Sequence, residues 1–266
     1  MLVTSLGYRT DLALRALEGS EITEHIDCVV VRSPANPTFR WGNFVLIREP
    51  PGPGEAQGWI ARFGAEFPGA DYTALGIDVT AADRAGAGEF LAAGFRRDVG
   101  SVLTAAAVRL PPHPNGDADY RPLATGEDWR QAAVLGSACD RGGPAELVFG
   151  NRRMAARRQL AEHGHGAWFG AFLGQRLVAQ LGIFRAADGI ARFQDVETHP
   201  DARRQGLAGT LVYHAATYAL GILAARTLVI VADPADRPIR LYRALGFADQ
   251  EQQVSLERLA AERRVS

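Results

Sequence analysis

Residues 192–212 read RFQDVETHPDARRQGLAGTLV. The pattern is a strand running into Thr198-His199-Pro200, a loop, and Arg203-x-x-Gly206-x-Ala208 at the opening of a helix. The first helical turn has backbone N–H groups without intrahelical acceptors and the positive end of the macrodipole. Such a turn binds anions, phosphate in particular. Gly206 removes the side chain that would keep a ligand off the backbone, and Ala208 keeps the next close position small. Arg203 and Arg204 add full positive charge. In a chain with 29 glycines and 29 basic residues this pattern arises cheaply. Its place between a strand and an amphipathic helix carries the inference.

Other chemistries are excluded by what is missing. All 29 basic residues among the 266 are arginine. Without lysine there is no Schiff-base nucleophile and no Walker-type phosphate loop. Cys28, in the apolar run IDCVVV, reads as a buried hydrophobe, and two cysteines make neither a disulfide framework nor a four-cysteine zinc site. His163-Gly164-His165 lacks a third ligand at useful spacing and reads as a turn, so no metal is expected. His199 reads as a cap or spacer, and Arg152, Arg153, Arg157 and Arg158 as a solvated helix face. A net charge of -1 argues against a nucleic-acid partner. No apolar run reaches membrane-spanning length and the N-terminus lacks a secretion pattern, so a cytoplasmic protein is expected.

The segment PPHPNGD, residues 111–117, divides the chain. The expected organisation is an N-terminal module over 1–110, a linker over 111–118 and a second module over 119–266. The second module reads as mixed α/β: strand 121–124, helix 127–139, loop 141–150 and helix 152–163. Three hairpin-linked strands follow at 167–173, 176–185 and 190–198. A helix from 205 to about 222, strand 227–232, helix 238–245 and strand 250–256 complete it. The first module is a weaker version: helix 11–17, strands 26–32 and 44–49, helix 58–67, strand 73–79, helix 88–93 and a strand from 96. EFLAAGF (89–95) parallels RLYRALGF (240–247), which suggests a degenerate internal repeat. Phe39-Arg40-Trp41 reads as hairpin packing, with walling of an acceptor pocket as the alternative.

The order strand, V-x-T-x-P-x-x-R-R-x-G-x-A, helix, strand, L-Y-x-x-x-G-F resembles the GNAT superfamily of acyl-CoA-dependent N-acyltransferases over about residues 119–256. The resemblance implies an α/β fold with a mixed sheet, here as two modules. It implies that acetyl-CoA is bound through its pyrophosphate by the turn Arg203, Arg204, Gln205, Gly206, Leu207, Ala208 and Gly209. The strand at Val196–Thr198 would hold the pantetheine arm by main-chain bonds, splayed from strand 227–232 with the thioester in the gap. Tyr242, from the L-Y-x-x-x-G-F motif, would protonate the leaving thiolate. Ala235 stands where many relatives have asparagine, and Pro238 where alanine is common. No such loop precedes a long helix in the N-terminal half, because Arg84–Gly88 leads into a short one. One active C-terminal module is therefore expected.

Attack on a thioester needs a neutral amine, so a carboxylate must take a proton directly or through water. Gln194, Asp195 and Glu197 lie on the strand beside the acyl site. Asp195 and Glu197, at i and i+2, share a side, and a bulge would change which residue faces the pocket. Glu197 is the expected base, since Val196 and Thr198 flank it; a surface carboxylate is the alternative. The reading is direct transfer of an acetyl group to an amine on a small molecule or peptide, with a homodimer left open. A non-catalytic acyl-CoA sensor on the same fold is the main rival. A Rossmann-type nucleotide enzyme fits less well, because hairpin-linked strands precede the phosphate turn.

Overall fold

The computed structural model describes residues 3–140 and 144–259. The chain forms two compact units. Unit 1 takes the residues up to Ser101 and those from Glu251 onward; unit 2 is Val102–Gln250. The 111–118 segment lies inside unit 2, where it is hydrogen-bonded, and each half gives the end of its last strand to the other half's unit.

Unit 1 contains α1 (Leu6–Leu17), β1 (Glu21–Glu24), β2 (Cys28–Arg32), β3 (Phe44–Ile47), α2 (Ala56–Glu66), β4 (Tyr72–Ile77), α3 (Gly88–Ala92) and the start of β5 (Arg96–Ala105). The strands β1, β2 and β3 pair antiparallel, β3 pairs parallel with β4, and residues 254–259 lie antiparallel to β4. Valines 29–31, Phe44–Ile47, Leu75 and Ile77 are buried on both faces of this sheet. That is why they read as continuous apolar runs rather than alternating ones. Trp41 packs on Phe44 and Arg15 lies over the Phe39 ring, while Arg40 is exposed and pairs with Glu257.

Unit 2 contains β6 (Asp119–Pro122), α4 (Gly126–Asp140), α5 (Pro144–Glu162), β7 (Gly166–Leu173), β8 (Arg176–Ala187), β9 (Ile190–Thr198), α6 (Leu207–Gly221), β10 (Thr227–Ala232) and α7 (Pro238–Ala244). It also holds the first residues of β11 (Ala248–Leu259). Its sheet runs β10-β9-β8-β7-β6, with β10 and β9 parallel and the rest antiparallel. Leu207, Leu211, Ala215, Ala216 and Ala219 of α6 close the core against Phe169, Leu181, Ile183, Phe193 and Leu228. Among the described residues no helix is long and apolar enough to cross a membrane.

Helix α5 begins at Pro144 rather than at Arg152, so residues 144–150 are helical and not a loop. Proline is pre-organised for a first helical position, and Ala145, Glu146 and Leu147 propagate a helix well. Residues 141–143 of the expected loop lie outside the described residues.

A capping box starts α4. Thr125 Oγ1 accepts from Asp128 N (3.1 Å), and Asp128 Oδ2 accepts from Thr125 N (3.0 Å) and Ala124 N (2.9 Å). Arg121 meets the same carboxylate through two nitrogens, at 2.8 and 3.0 Å. Arg121 and these N–H bonds hold the Asp128 carboxyl well below the usual carboxylate range. A depressed folded-state pKa stabilises above the unfolded value and is lost as pH falls below it. Asp128→Ala should therefore cost about 1–2 kcal/mol at pH 7 and much less at pH 2, measured by urea unfolding at both.

Candidate active site

The ladder between β9 and β10 pairs Thr227 with Ile190, Leu228 with Ala191 and Val229 with Arg192, and then stops. Beyond it the two strands diverge. The gap is a cleft of about 290 Å³ lined by Phe193, Gln194, Asp195, Val196, Ile230–Asp233, Asp236, Pro238 and Tyr242. Open backbone edges on both sides of a gap suit an extended polar arm that bonds by main chain.

A bulge on β9 sets what faces this cleft. Gly182 pairs with Gln194 but Gln180 pairs with Glu197, which leaves one extra residue on β9. Asp195 takes a φ of 45° there, which is uncommon for a non-glycine residue and often found at functional sites. Phe193 and Val196 pack toward α6, while Gln194, Asp195 and Glu197 turn toward α4 and α5. Arg153 reaches Asp195 at 2.5 Å, and Arg157 reaches Gln194 Oε1 at 3.1 Å and Asp195 at 3.9 Å. Arg157 is 0% exposed, over the Trp168 ring. The solvated-face reading of the four arginines thus holds for Arg152 and Arg158 and fails for Arg153 and Arg157. A guanidinium facing a strand carboxylate is indistinguishable in sequence from one facing water.

Glu197 Oε2 accepts from Gln180 Nε2 at 2.6 Å. Gln180, 0% exposed, is fixed in turn by Trp168 Nε1 (3.1 Å) and the Ala132 carbonyl (3.0 Å). Gly136 of α4 lies over the pair, so a side chain there would reach 3.6 Å from each. Asp195 lines the cleft with Tyr242; Glu197 sits one step along the strand, under α4, outside the lining. Val196 lines the cleft. The Thr198 carbonyl is engaged by Arg203 Nε (3.2 Å) and Cys139 Sγ (3.6 Å).

The turn after β9 leads into α6 through two left-handed residues. His199 Nδ1 accepts from Asp201 N at 3.3 Å, opening a short 3-10 turn over Pro200–Ala202. Arg204 (φ 63°) and Gly206 (φ 79°) are left-handed, and α6 begins at Leu207 with no side-chain cap. Thr210 N is the first to bond back, to Gly206 O at 3.2 Å. The N–H groups of Leu207, Ala208 and Gly209 have no intrahelical acceptor. Arg203, Arg204 and Gln205 are exposed beside them. Gly206 is needed for a reason besides ligand approach. A Cβ there would overlap the His113 carbonyl oxygen, and one on Gly209 would lie 2.9 Å from Leu241 Cδ1.

Tyr242 projects from α7 into the cleft and packs edge-on against Phe247 (6.4 Å, 68°). Burial, with a smaller contribution from Asp236, pushes its hydroxyl up to about 12. It therefore stays protonated across the physiological range. Pro238 occupies the first turn of α7. His163–His165 close the C-terminal end of α5 through Gly164 (φ 74°). Among the described residues no three metal-ligating side chains converge.

Unit 1 repeats the order strand, loop, helix, parallel strand as β3, residues 48–55, α2 and β4, and a cavity of about 820 Å³ lies at its loop and helix start, but the details differ from unit 2. The β3–β4 ladder runs to Ile47–Ile77 and continues with Asp78 N to Ile47 O at 2.8 Å, leaving no splay. In its loop, Gly52 N donates to Glu55 Oε2 (2.9 Å) and Gly54 N to Glu89 Oε1 (2.6 Å). Internal carboxylates take these two loop amides. Phe90, edge-on to Phe95 and bonded to it through Phe95 N (2.9 Å), stands where Tyr242 stands with Phe247. The EFLAAGF repeat thus lacks the phenol. Sequence spacing identified the repeat; the carboxylate plugs had no local signal.

Residues 141–247 match the model of the acetyltransferase (GNAT) family. No curated protein matches the chain. Among solved structures, it is similar to a GCN5-related N-acetyltransferase from Kribbella flavida. The TM-score is 0.64 at 16% identity, covering 95% of this chain and 96% of that one. A GCN5-related N-acetyltransferase from Sphaerobacter thermophilus gives a TM-score of 0.58 at 17% identity, covering 88% and 81%. A tandem GNAT protein from the clavulanic acid biosynthesis pathway gives 0.56 at 15% identity, covering 98% and 97%. Residues 141–247 thus carry the match to the acetyltransferase (GNAT) family, and the fold of the chain is similar to that of these N-acetyltransferase structures.

Proposed function

We propose that the protein is an acetyl-CoA-dependent N-acetyltransferase that acts by direct attack of an amine, with one active site per chain, in unit 2. The observation that carries this is the splay of β9 from β10, with a buried protonated phenol in the gap and a phosphate-competent turn at the end of β9.

The amides of residues 204–209 and the two arginines hold the pyrophosphate, and the open edge at Val196 holds the pantetheine arm. The acceptor is an amine on a small molecule or peptide. Its nitrogen attacks the thioester carbonyl as Glu197 takes its proton through water. The C–N bond forms and the C–S bond breaks. Tyr242 hydrogen-bonds and protonates the departing sulfur.

CoA and acetyl-CoA should raise the melting temperature by mass action, and NAD should not. Titration calorimetry should give one site per chain; two sites of similar affinity would mean unit 1 also binds. Arg204→Glu, at an exposed position, should weaken CoA roughly tenfold, since the charge change of two faces a polyanion. Unchanged affinity in that variant would move the pyrophosphate elsewhere. Gly206 is unsuitable for this test, because any side chain there strikes His113.

A further inference from the structure

We infer that Asn115, in the segment that joins β5 to β6, is a positioning residue for the pyrophosphate turn. The inference rests on the cofactor reading above. Asn115 makes five hydrogen bonds through its backbone N–H, Nδ2 and Oδ1. Its Nδ2 donates to the Gln205 carbonyl (2.9 Å) and its backbone N–H to Thr210 Oγ1 (2.9 Å). Its Oδ1 accepts from Asp117 N (3.1 Å), Ala118 N (3.1 Å) and the Tyr120 hydroxyl (3.2 Å). Thr210 Oγ1 in turn donates to the Gly206 carbonyl at 3.1 Å.

The consequence follows from the planarity of the peptide. In a trans peptide the C=O and the next N–H point in opposite directions. Holding the Gln205 carbonyl toward Asn115 therefore aims the Gly206 N–H away from it. Holding the Gly206 carbonyl toward Thr210 does the same for the Leu207 N–H. These are amides of the anion turn. Gly206 has the backbone freedom to let the 205–206 peptide flip, which would present a carbonyl to the pyrophosphate instead of an N–H. The His113 carbonyl, packed where a Gly206 Cβ would be, closes the turn from the same side. Asn115 touches no part of the ligand in this arrangement; it acts through Gln205 and Gly206.

Asn115→Asp tests this with little change of shape. The carboxylate still accepts from Asp117, Ala118 and Tyr120 but cannot donate to Gln205. Calorimetric titration with CoA should give a dissociation constant raised roughly tenfold, the effect of one net hydrogen bond. Pantetheine, which lacks the phosphates, should bind both proteins equally, and the unliganded melting temperature should move little. Asn115→Ala, which adds no negative charge beside the polyanion, should weaken CoA as well; a loss confined to Asn115→Asp is charge repulsion and overturns the inference. A CoA affinity within twofold of the wild type overturns the inference. So does an equal loss for CoA and pantetheine, which is the signature of a merely structural role. A wild-type protein that binds no CoA overturns the cofactor reading first and this inference with it.

Discussion

Tyr242→Phe should lower turnover by about 100-fold or more while leaving the fold and acetyl-CoA affinity intact. The ring, which packs on Phe247, is retained and only the hydroxyl is lost. A thiolate leaving in a partly dry cleft is costly unless a donor meets it. With its pKa at about 12, the phenol is a weaker acid than an ordinary thiol at about 8.5, so full transfer ahead of bond breaking is uphill. Its contribution is a hydrogen bond that strengthens as charge builds on sulfur, with the proton following. Because the raised pKa keeps the phenol neutral, the profile of kcat should show no loss from this group below pH 10, with decline only as pH approaches 12. Thiol release with a cognate amine measures both. A turnover within threefold of the wild type, with chemistry rate-limiting, would assign the proton to water. A protein that binds acetyl-CoA normally yet releases no thiol with any amine in either form would instead be the non-catalytic sensor on this fold.

Glu197→Gln should cost about 100-fold in turnover at pH 7, and Asp195→Asn less than tenfold. Both residues stand on β9, but their surroundings differ. The Asp195 carboxylate meets Arg153 at 2.5 Å and Arg157 at 3.9 Å, so its oxygens are already engaged by two guanidinium groups. Glu197 accepts from the neutral amide of Gln180. In Glu197→Gln the new carbonyl oxygen still accepts that bond, so the strand should keep its place. Steady-state rates across pH 6–10 with the same acceptor decide the matter. If Asp195→Asn is the more damaging change, the base is Asp195 and the bulge has brought it to the amine. Asp195→Gly should separate that case from strain, since it accepts the left-handed backbone and removes the carboxylate.

Much of this arrangement was legible from residue order. Alternation and apolar runs located β7–β10, the spacing of Leu207, Leu211 and Ala215 located α6, and R-R-x-G-x-A before it located the turn that opens α6. These are local signals: side-chain period, glycine conformation and orphan amides act within a few residues. The bulge at Asp195 was not legible, since RFQDVET alternates no differently from a regular strand. Its existence depends on pairing with β8, and it decides that Asp195 lines the cleft and Glu197 lies against Gln180. The burial of Arg157 depends on α5 packing over β7 and β8, which no arginine spacing encodes. The segment 111–118 carries every mark of a linker, because proline and glycine report backbone conformation and not contacts. Only folding brings Asn115 to Gln205 and Thr210, about 90 residues away along the chain. Composition and period act along the chain and can be read there; which carboxylate meets which cation, and which carbonyl is held, are set by groups that meet only when the sheet is assembled.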